Sequence, residues 1–251
     1  MNKIEIEILN PEALQEAEKM MVAMARLTQR GHTINNMNDL HDLLSKSYLP
    51  STVKTMSSLP HPTIQKFGLI NVAIVGASRR FLAQITRHQN EVKFMSASLQ
   101  YSDYTDKANF VVPYEILEYD ALNNTDYANA YEMACDDSME HYKHFAKLTD
   151  NDAAGYIAPQ GLRNVLIISA SPYQLKHIIN QRSCNRNTKE TQYVMLKLCE
   201  ELQKRCTLFD DCGPSCLHDV CKEGKMACDN PLLLYDSITH ILDEQFKIIR
   251  R

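Results

Sequence analysis

The sequence predicts a mixed α/β chain, with one main domain and a small Cys-rich appendage at its C-terminal end. Three observations predict it. Residues 4–9, IEIEIL, alternate apolar and charged side chains, the pattern of a half-buried strand. Two short apolar runs, FGLINVAIVG at 67–76 and GLRNVLIISAS at 161–171, are bounded by Gly or Pro and suit buried strands. Long stretches around them place apolar residues three and four apart, as helices do. There is no internal repeat, low-complexity tract or obvious linker. The one compositional change divides the chain into a domain at 1–205 and a tail at 206–251, Cys-rich and ending in a helix.

The elements follow in order. After the strand at 4–9, Asn10-Pro11 opens a helix, because Pro suits the first turn, and ALQEAEKMMVAMARLTQ (13–29) keeps helical spacing. Residues 36–58 read as a second helical stretch and a loop, and Pro60-His61-Pro62 ends it before the apolar strand at 67–76. SRRFLAQITRHQNEV (78–92) is helical by spacing. Ser98 to Pro113 is aromatic and polar, a loop leading to a short strand at 109–113. Tyr114 to Leu148 reads as one long helix with a break expected at Asn123-Asn124. The strand at 161–171 meets Pro172 at the start of a helix through YQLKHIINQRS, and another helix covers about 187–205. The tail is irregular until SITHILDEQFKII forms a last helix.

Composition narrows the function. The chain has 251 residues, 44% hydrophobic and 23% charged, enough to bury a real core. A formal charge of −4 gives no electrostatic case for a nucleic-acid face. No apolar run reaches the ~20 residues of a membrane helix. MNKIEIEILNPE lacks the apolar core of a signal peptide, so the chain is read as cytoplasmic. Five of the eight cysteines fall between Cys206 and Cys228, which points to metal rather than disulfides in a reducing compartment. With His218, that segment holds six soft or borderline ligands in 23 residues, and Gly213-Pro214 and Gly224 supply turns. A structural zinc with Cys212, Cys216, Cys221 and Cys228 as ligands is expected, Cys206 or His218 being substitutes and an iron–sulfur cluster the alternative. Cys135, Cys184 and Cys199 read as buried or half-buried thiols.

On the helix expected at 78–92, Arg80, Gln84 and His88 lie four apart and share a face, with Arg87 beside them. The stripe is either a solvated basic face or a surface for phosphates and a polar heterocycle. The string GASRRFLAQITRHQNEVKFMSASLQY (76–101) resembles the signature region of flavin-dependent thymidylate synthases, with Ser78, Arg79, Gln84, Arg87, His88, Ser98 and Tyr101 on matching positions. AAGYIAPQGLRNVLIISASPYQLKHIINQRSCNRNTKE (153–190) is similar to a second block of that family through Ala154, Pro159, His177, Arg182 and Glu190. The tail CGPSCLHDVCKEGKMAC (212–228) resembles one carried by a branch of the family. The three blocks keep the family's order and spacing.

The resemblance implies a central mixed sheet flanked by helices and a homotetramer whose active sites are shared between subunits. It implies methylation of dUMP at C5 with methylenetetrahydrofolate and NADPH as co-substrates and FAD as cofactor. By the same resemblance Arg87, His88, His177 and Gln84 bind the cofactor. Arg182 holds the uracil edge and stabilises charge on the ring, Ser98 bonds near the nucleotide, and Tyr101 contributes to substrate binding. The chain departs from the pattern at Gln65-Lys66, where the family has Glu and a flavin-contacting His, and at Gln89, Lys93, Ala97, Gln100, Gly155 and Asn187-Thr188. Lys66, Lys93, Arg163 and Arg186 are basic newcomers. Two readings stay open: an active enzyme on dUMP or a related pyrimidine nucleotide, and a non-catalytic or substrate-shifted paralogue that keeps the fold and pairs with a complete subunit. Arg186 paired to Glu190 along a helix surface, and His177 as a core histidine, are the structural alternatives for those residues.

Overall fold

The two apolar runs pair with each other at the centre of a four-stranded sheet. A computed structural model describes residues 3–106, 108–218, 220–228 and 230–249. Strands β1 (Glu5–Ile8), β2 (Ile70–Ser78), β3 (Val92–Ser96) and β4 (Arg163–Ala170) are arranged in the order β1-β2-β4-β3. Every pairing is antiparallel, so the sheet expected to be mixed runs antiparallel throughout the described residues. Val72, Ile74, Leu166, Ile168 and Ala170 point to one face and are buried. Val75 and Val165 point to the other and are about two-fifths exposed, at 41% and 43%, with Met95 more open still.

Gly76 carries the register shift in β2 between Val75 and Ala77. Its φ of +87° suits only glycine, and a Cβ there would lie 1.8 Å from the Arg163 guanidinium that crosses it. The bulge turns both Ala77 and Ser78 inward, which delivers Ser78 to the start of the next helix.

Helix α1 (Glu12–Arg30) buries Leu14, Ala17, Met21 and Val22, followed by α2 (Met37–Ser45) and α3 (Pro50–Ser57). Helix α4 (Arg79–Ile85) is shorter than the helical spacing of 78–92 predicts. Thr86 ends it, its amide and its hydroxyl both bonding the Leu82 carbonyl. The chain then reverses through Glu91, at φ +56°, so that Val92 can pair with Ala170. Strand formation by VKFMS thus outcompetes another helical turn, and His88 lies in a turn rather than on a helix face. The strand expected at 109–113 amounts to one bridge, Phe110 to Leu162.

The long helix divides where expected, into α5 (Tyr114–Asn123) and α6 (Tyr127–Leu148), with Asn124 left-handed between them. The Asp120 carboxylate accepts from the Tyr127 and Ala128 amides at 2.9 and 2.8 Å, satisfying donors that open α6. A short turn, α7 (Asn151–Ala154), precedes β4. Helix α8 (Pro172–Arg182) starts with Ser171 as N-cap and Pro at its first position, as the sequence implied. Helix α9 (Lys189–Gln203) buries Val194, Met195, Leu196, Leu198, Cys199 and Leu202, and touches α4, α5, α8 and β1. The tail adds α10 (Ser215–His218) and α11 (Ile238–Gln245), and Leu208, Phe209, Leu232, Ile241 and Phe246 belong to the same core as the sheet. No described helix is long and apolar enough to cross a membrane.

Candidate active site

A turn and a helix far apart in sequence bring the basic and imidazole groups together. The turn after α4 carries Arg87 and His88, and α8 carries Tyr173, Gln174, His177 and Arg182. Arg87, His88, Gln89, Asn90, Tyr173, Gln174 and His177 line a cleft of about 360 Å³. The His88 and His177 rings meet edge-on at 6.0 Å, and His177 is exposed rather than a core histidine.

Arg182 donates from Nε to His88 Nε2 at 2.8 Å and from Nη1 to Asn187 Oδ1 at 3.3 Å. A guanidinium Nε–H can only donate, so His88 Nε2 is the acceptor and its proton resides on Nδ1. Burial, then the Arg182 charge and the neighbouring His177, hold His88 down to about 4. His88 is therefore a neutral imidazole at pH 7. Burial also lowers Arg182, and Arg87 adds to that, but a guanidinium stays charged.

An NMR titration of the imidazoles is expected to place the His88 midpoint near 4, and one near 6.5 would contradict the pairing with Arg182. The sign for stability follows. Between about 4 and 6.5 the unfolded chain holds the extra proton, so the contribution of His88 is full above 6.5 and is lost as pH falls towards 4.

Lys66 stands beside this cleft. Its Nζ pairs with Glu91 at 3.0 Å and lies 5.4 Å from the centre of the Tyr173 ring. Gln174 donates to the same Glu91 oxygen, Oε2, at 3.3 Å. Bonds from Lys66 first, and then from Gln174, lower the Glu91 carboxyl. Spacing on α8 could have found Tyr173 and Gln174, which sit four and three residues before His177. Nothing periodic marks Glu91, which meets Gln174 of the cleft wall where the backbone turns left-handed.

Other expected site residues lie elsewhere. Ser98 lines a second cleft of about 470 Å³ with Arg79, Gln100, Asp152, Gly155 and Tyr156, and its Oγ accepts from the Gln100 amide at 3.1 Å. Gln84 is half-buried on α4 and lines neither cleft, and Tyr101 is 84% exposed. Of the basic newcomers, Arg163 donates to the Lys3 carbonyl at 2.6 Å and Arg186 bonds the Met226 carbonyl, so the alternative Arg186–Glu190 pair is not formed. Glu190 instead accepts from the Ser78 amide at 2.7 Å and its hydroxyl at 2.5 Å, tying α9 to the start of α4. Burial pushes its carboxyl up, while those Ser78 bonds and Arg163 pull it down.

The expected zinc ligands also separate. Cys212 is fully buried and shares a hydrogen bond with Cys199 in the core, where the walls are apolar. Cys206 sits against Glu18 at 3.3 Å, and the His218 Nε2 bonds the Cys212 carbonyl at 2.8 Å. Core packing therefore takes Cys212, Cys206 and Cys216 out of the expected ligand set, the exposed His218 is held by the Cys212 carbonyl, and Cys221 and Cys228 are half-buried. Among the described residues, no three His, Cys, Asp or Glu side chains converge closely enough to hold a metal ion as they stand.

Known proteins resemble this chain in sequence and fold. The family model of thymidylate synthase complementing protein matches residues 11–206. The flavin-dependent thymidylate synthase of Geobacter sulfurreducens is 24% identical over 222 residues, covering 86% of this chain and 91% of that protein. That of Clostridium tetani is 23% identical over 231 residues, covering 84% and 88%. A crystal structure of thymidylate synthase X from Helicobacter pylori, with FAD and dUMP, superposes with a TM-score of 0.59 at 17% identity, covering 84% of this chain and 98% of that one, which shows a shared fold. With the family model spanning most of its length, from α1 to the end of α9, the chain belongs to the thymidylate synthase complementing protein family.

Proposed function

We propose that this chain is a cytoplasmic flavin-dependent methyltransferase acting at C5 of dUMP or a related pyrimidine nucleotide, with FAD as cofactor and methylenetetrahydrofolate and NADPH as co-substrates. The observation that carries it is the convergence of Arg87, His88 and His177 on one cleft, with Arg182 bonded to His88 behind it. The relatives named above are flavin-dependent thymidylate synthases, and the Helicobacter pylori structure holds FAD and dUMP.

The cleft's donor set suits part of a flavin nucleotide. Arg87 is an exposed guanidinium, matched to phosphate oxygens. His88 offers a neutral Nδ1–H to a ring carbonyl. Arg182 has N–H groups beyond the two it spends on His88 and Asn187, and these can meet negative charge developing on a pyrimidine. Bound FAD would supply the hydride chemistry, which no side chain here provides.

A volume of about 360 Å³ is at the low end for a small-ligand site. The remaining candidates, Ser98 and Arg79, lie in a second cleft of the same chain. That division supports sites shared between copies in a homotetramer, as does the open sheet face with Val75, Val165 and Met95.

One observation favours a substrate-shifted or non-catalytic paralogue, alone or in a hetero-oligomer with a complete subunit. The Lys66–Glu91 pair places a carboxylate behind the cleft, bonded to Gln174 of its wall, and the family pattern has a flavin-contacting His in the place of Lys66. The two readings part in one assay. Purified chain is supplied with FAD, NADPH, methylenetetrahydrofolate and each pyrimidine deoxynucleotide in turn. A C5-methylated product from dUMP or one relative is the expected result. No methylated product from any of them would sink the enzyme reading and leave the paralogue.

A further inference from the structure

The side chain of Asn187, in the turn between α8 and α9, spends both ends of its amide around Arg182. Its Oδ1 accepts from Arg182 Nη1 at 3.3 Å. Its Nδ2 donates to the Gln181 carbonyl at 2.9 Å and to the Cys184 carbonyl at 3.2 Å. These partners fix which end is which. A carbonyl only accepts and a guanidinium only donates, so the reversed amide would set oxygen against oxygen and N–H against N–H. The Gln181 carbonyl belongs to the last turn of α8, where no later helical amide can satisfy it. Asn187 therefore closes the helix end and presents its oxygen to the guanidinium with the same group.

The turn that carries Asn187 is itself held. The Asn187 backbone amide bonds the Cys184 carbonyl at 3.0 Å. Gln192, fully buried on α9, donates from Nε2 to the Ser183 carbonyl at 3.1 Å and to Asn185 Oδ1 at 2.6 Å. Asn185 Nδ2 reaches the Asn230 carbonyl in the tail. Thr188, the next residue, caps α9 by accepting from the Thr191 amide at 3.3 Å. The amide at 187 thus stands on a backbone with little freedom to drift.

Arg182 is gripped at two points of a rigid plane, at Nε by His88 at 2.8 Å and at Nη1 by Asn187. One contact would leave that plane free to swing, and His88 itself lies in a turn. Two contacts fix the direction of the remaining N–H groups, as a donor to developing charge requires.

We propose that Asn187 is a positioning residue, whose Oδ1 sets the orientation of the Arg182 guanidinium while its Nδ2 locks that oxygen to the end of α8. The inference rests on the reading of Arg182 as the group that meets the pyrimidine. Asn187 is also a position where the chain departs from the family pattern, so this hold is the chain's own.

NMR of the arginine Nε–H groups in the full chain tests the role without turnover. The Arg182 Nε–H should exchange slowly with solvent in the wild type, and Asn187→Ala should speed that exchange by ~10-fold or more. Asn187→Asp separates the two ends of the amide, because it keeps an acceptor for Arg182 and loses both donors to the carbonyls. It should melt lower, as the alanine variant does, yet keep the slow Nε–H. Thr188→Ala removes the neighbouring cap, which has no bond to Arg182, and should lose stability without altering the exchange. In the C5-methylation assay, kcat of Asn187→Ala should fall ~10–100-fold with KM nearly unchanged, and Asn187→Asp should recover most of it. An Arg182 Nε–H that exchanges equally slowly in Asn187→Ala, or one that Thr188→Ala speeds just as much, would overturn the positioning role. If the wild type methylates no pyrimidine nucleotide, the enzyme reading fails, and the exchange pattern alone decides the role of Asn187.

Discussion

Replacing Arg182 with alanine is expected to raise His88 from about 4 towards 6.5 and to lower turnover of the pyrimidine nucleotide by ~10²–10³-fold. The two effects have one origin. Arg182 Nε is the donor to His88 Nε2 at 2.8 Å, and its charge helps keep the imidazole neutral. Without it the ring gains a free nitrogen, can protonate, and loses its fixed tautomer. The loss in rate reflects the missing guanidinium at the nucleotide, where charge develops only in the transition state. Arg182→Lys separates the parts, because lysine keeps the charge but lacks the fork that serves His88 and Asn187 at once. Its His88 should shift less than in the alanine variant, while turnover should fall nearly as far. Ring-proton NMR and kcat on the same samples check this, and an unmoved His88 midpoint in Arg182→Ala would refute the pairing.

Glu190→Ala is expected to destabilise the chain by about 3 kcal/mol, since it strips two charge-assisted bonds from the Ser78 amide and hydroxyl at a buried helix start. For a domain of this size that corresponds to a fall in Tm of roughly 6–12 °C. The contact joins residues 112 apart in sequence, so its loss uncouples α4 from α9 rather than fraying one end. Glu190→Gln keeps one acceptor for the Ser78 amide and should cost about half as much. Thermal and urea melts of the three proteins measure it, and a loss below ~0.5 kcal/mol in Glu190→Ala would show that water replaces the carboxylate.

The central strands were legible because their chemistry is local. IEIEIL alternates, and the runs at 67–76 and 161–171 are apolar with Gly or Pro at their ends. The break at Asn123-Asn124 was legible for the same reason, Asn being tolerant of the left-handed backbone it adopts at 124. Strand β3 was hidden. VKFMS directly follows a segment with true helical spacing, and what ends the helix is the offer of Ser169 and Ala170 as partners some 77 residues away. The same competition moved His88 off the expected stripe with Arg80 and Gln84 and onto a turn facing α8.

In the site, no periodicity links His88 to Arg182 across 94 residues, and only the family frame brought both forward. That frame also suggested Ser98, Tyr101 and Gln84, which the fold keeps apart from the His88 cleft. In the tail, spacing counted the thiols but could not sort them. Cys212 and Cys216 look equivalent in sequence, and both are buried, the first against Cys199 and the second accepting from the Leu232 amide. The sorting depends on how α9 lies under the tail.

The visible absorption spectrum of the purified chain, recorded with and without added FAD, bears most directly on the proposed cofactor cleft. The predicted result is the spectrum of a protein-bound flavin that saturates with added FAD and weakens in both Arg87→Ala and His177→Ala. A colourless protein that leaves the spectrum of added FAD unchanged, with dUMP present or absent, would contradict it.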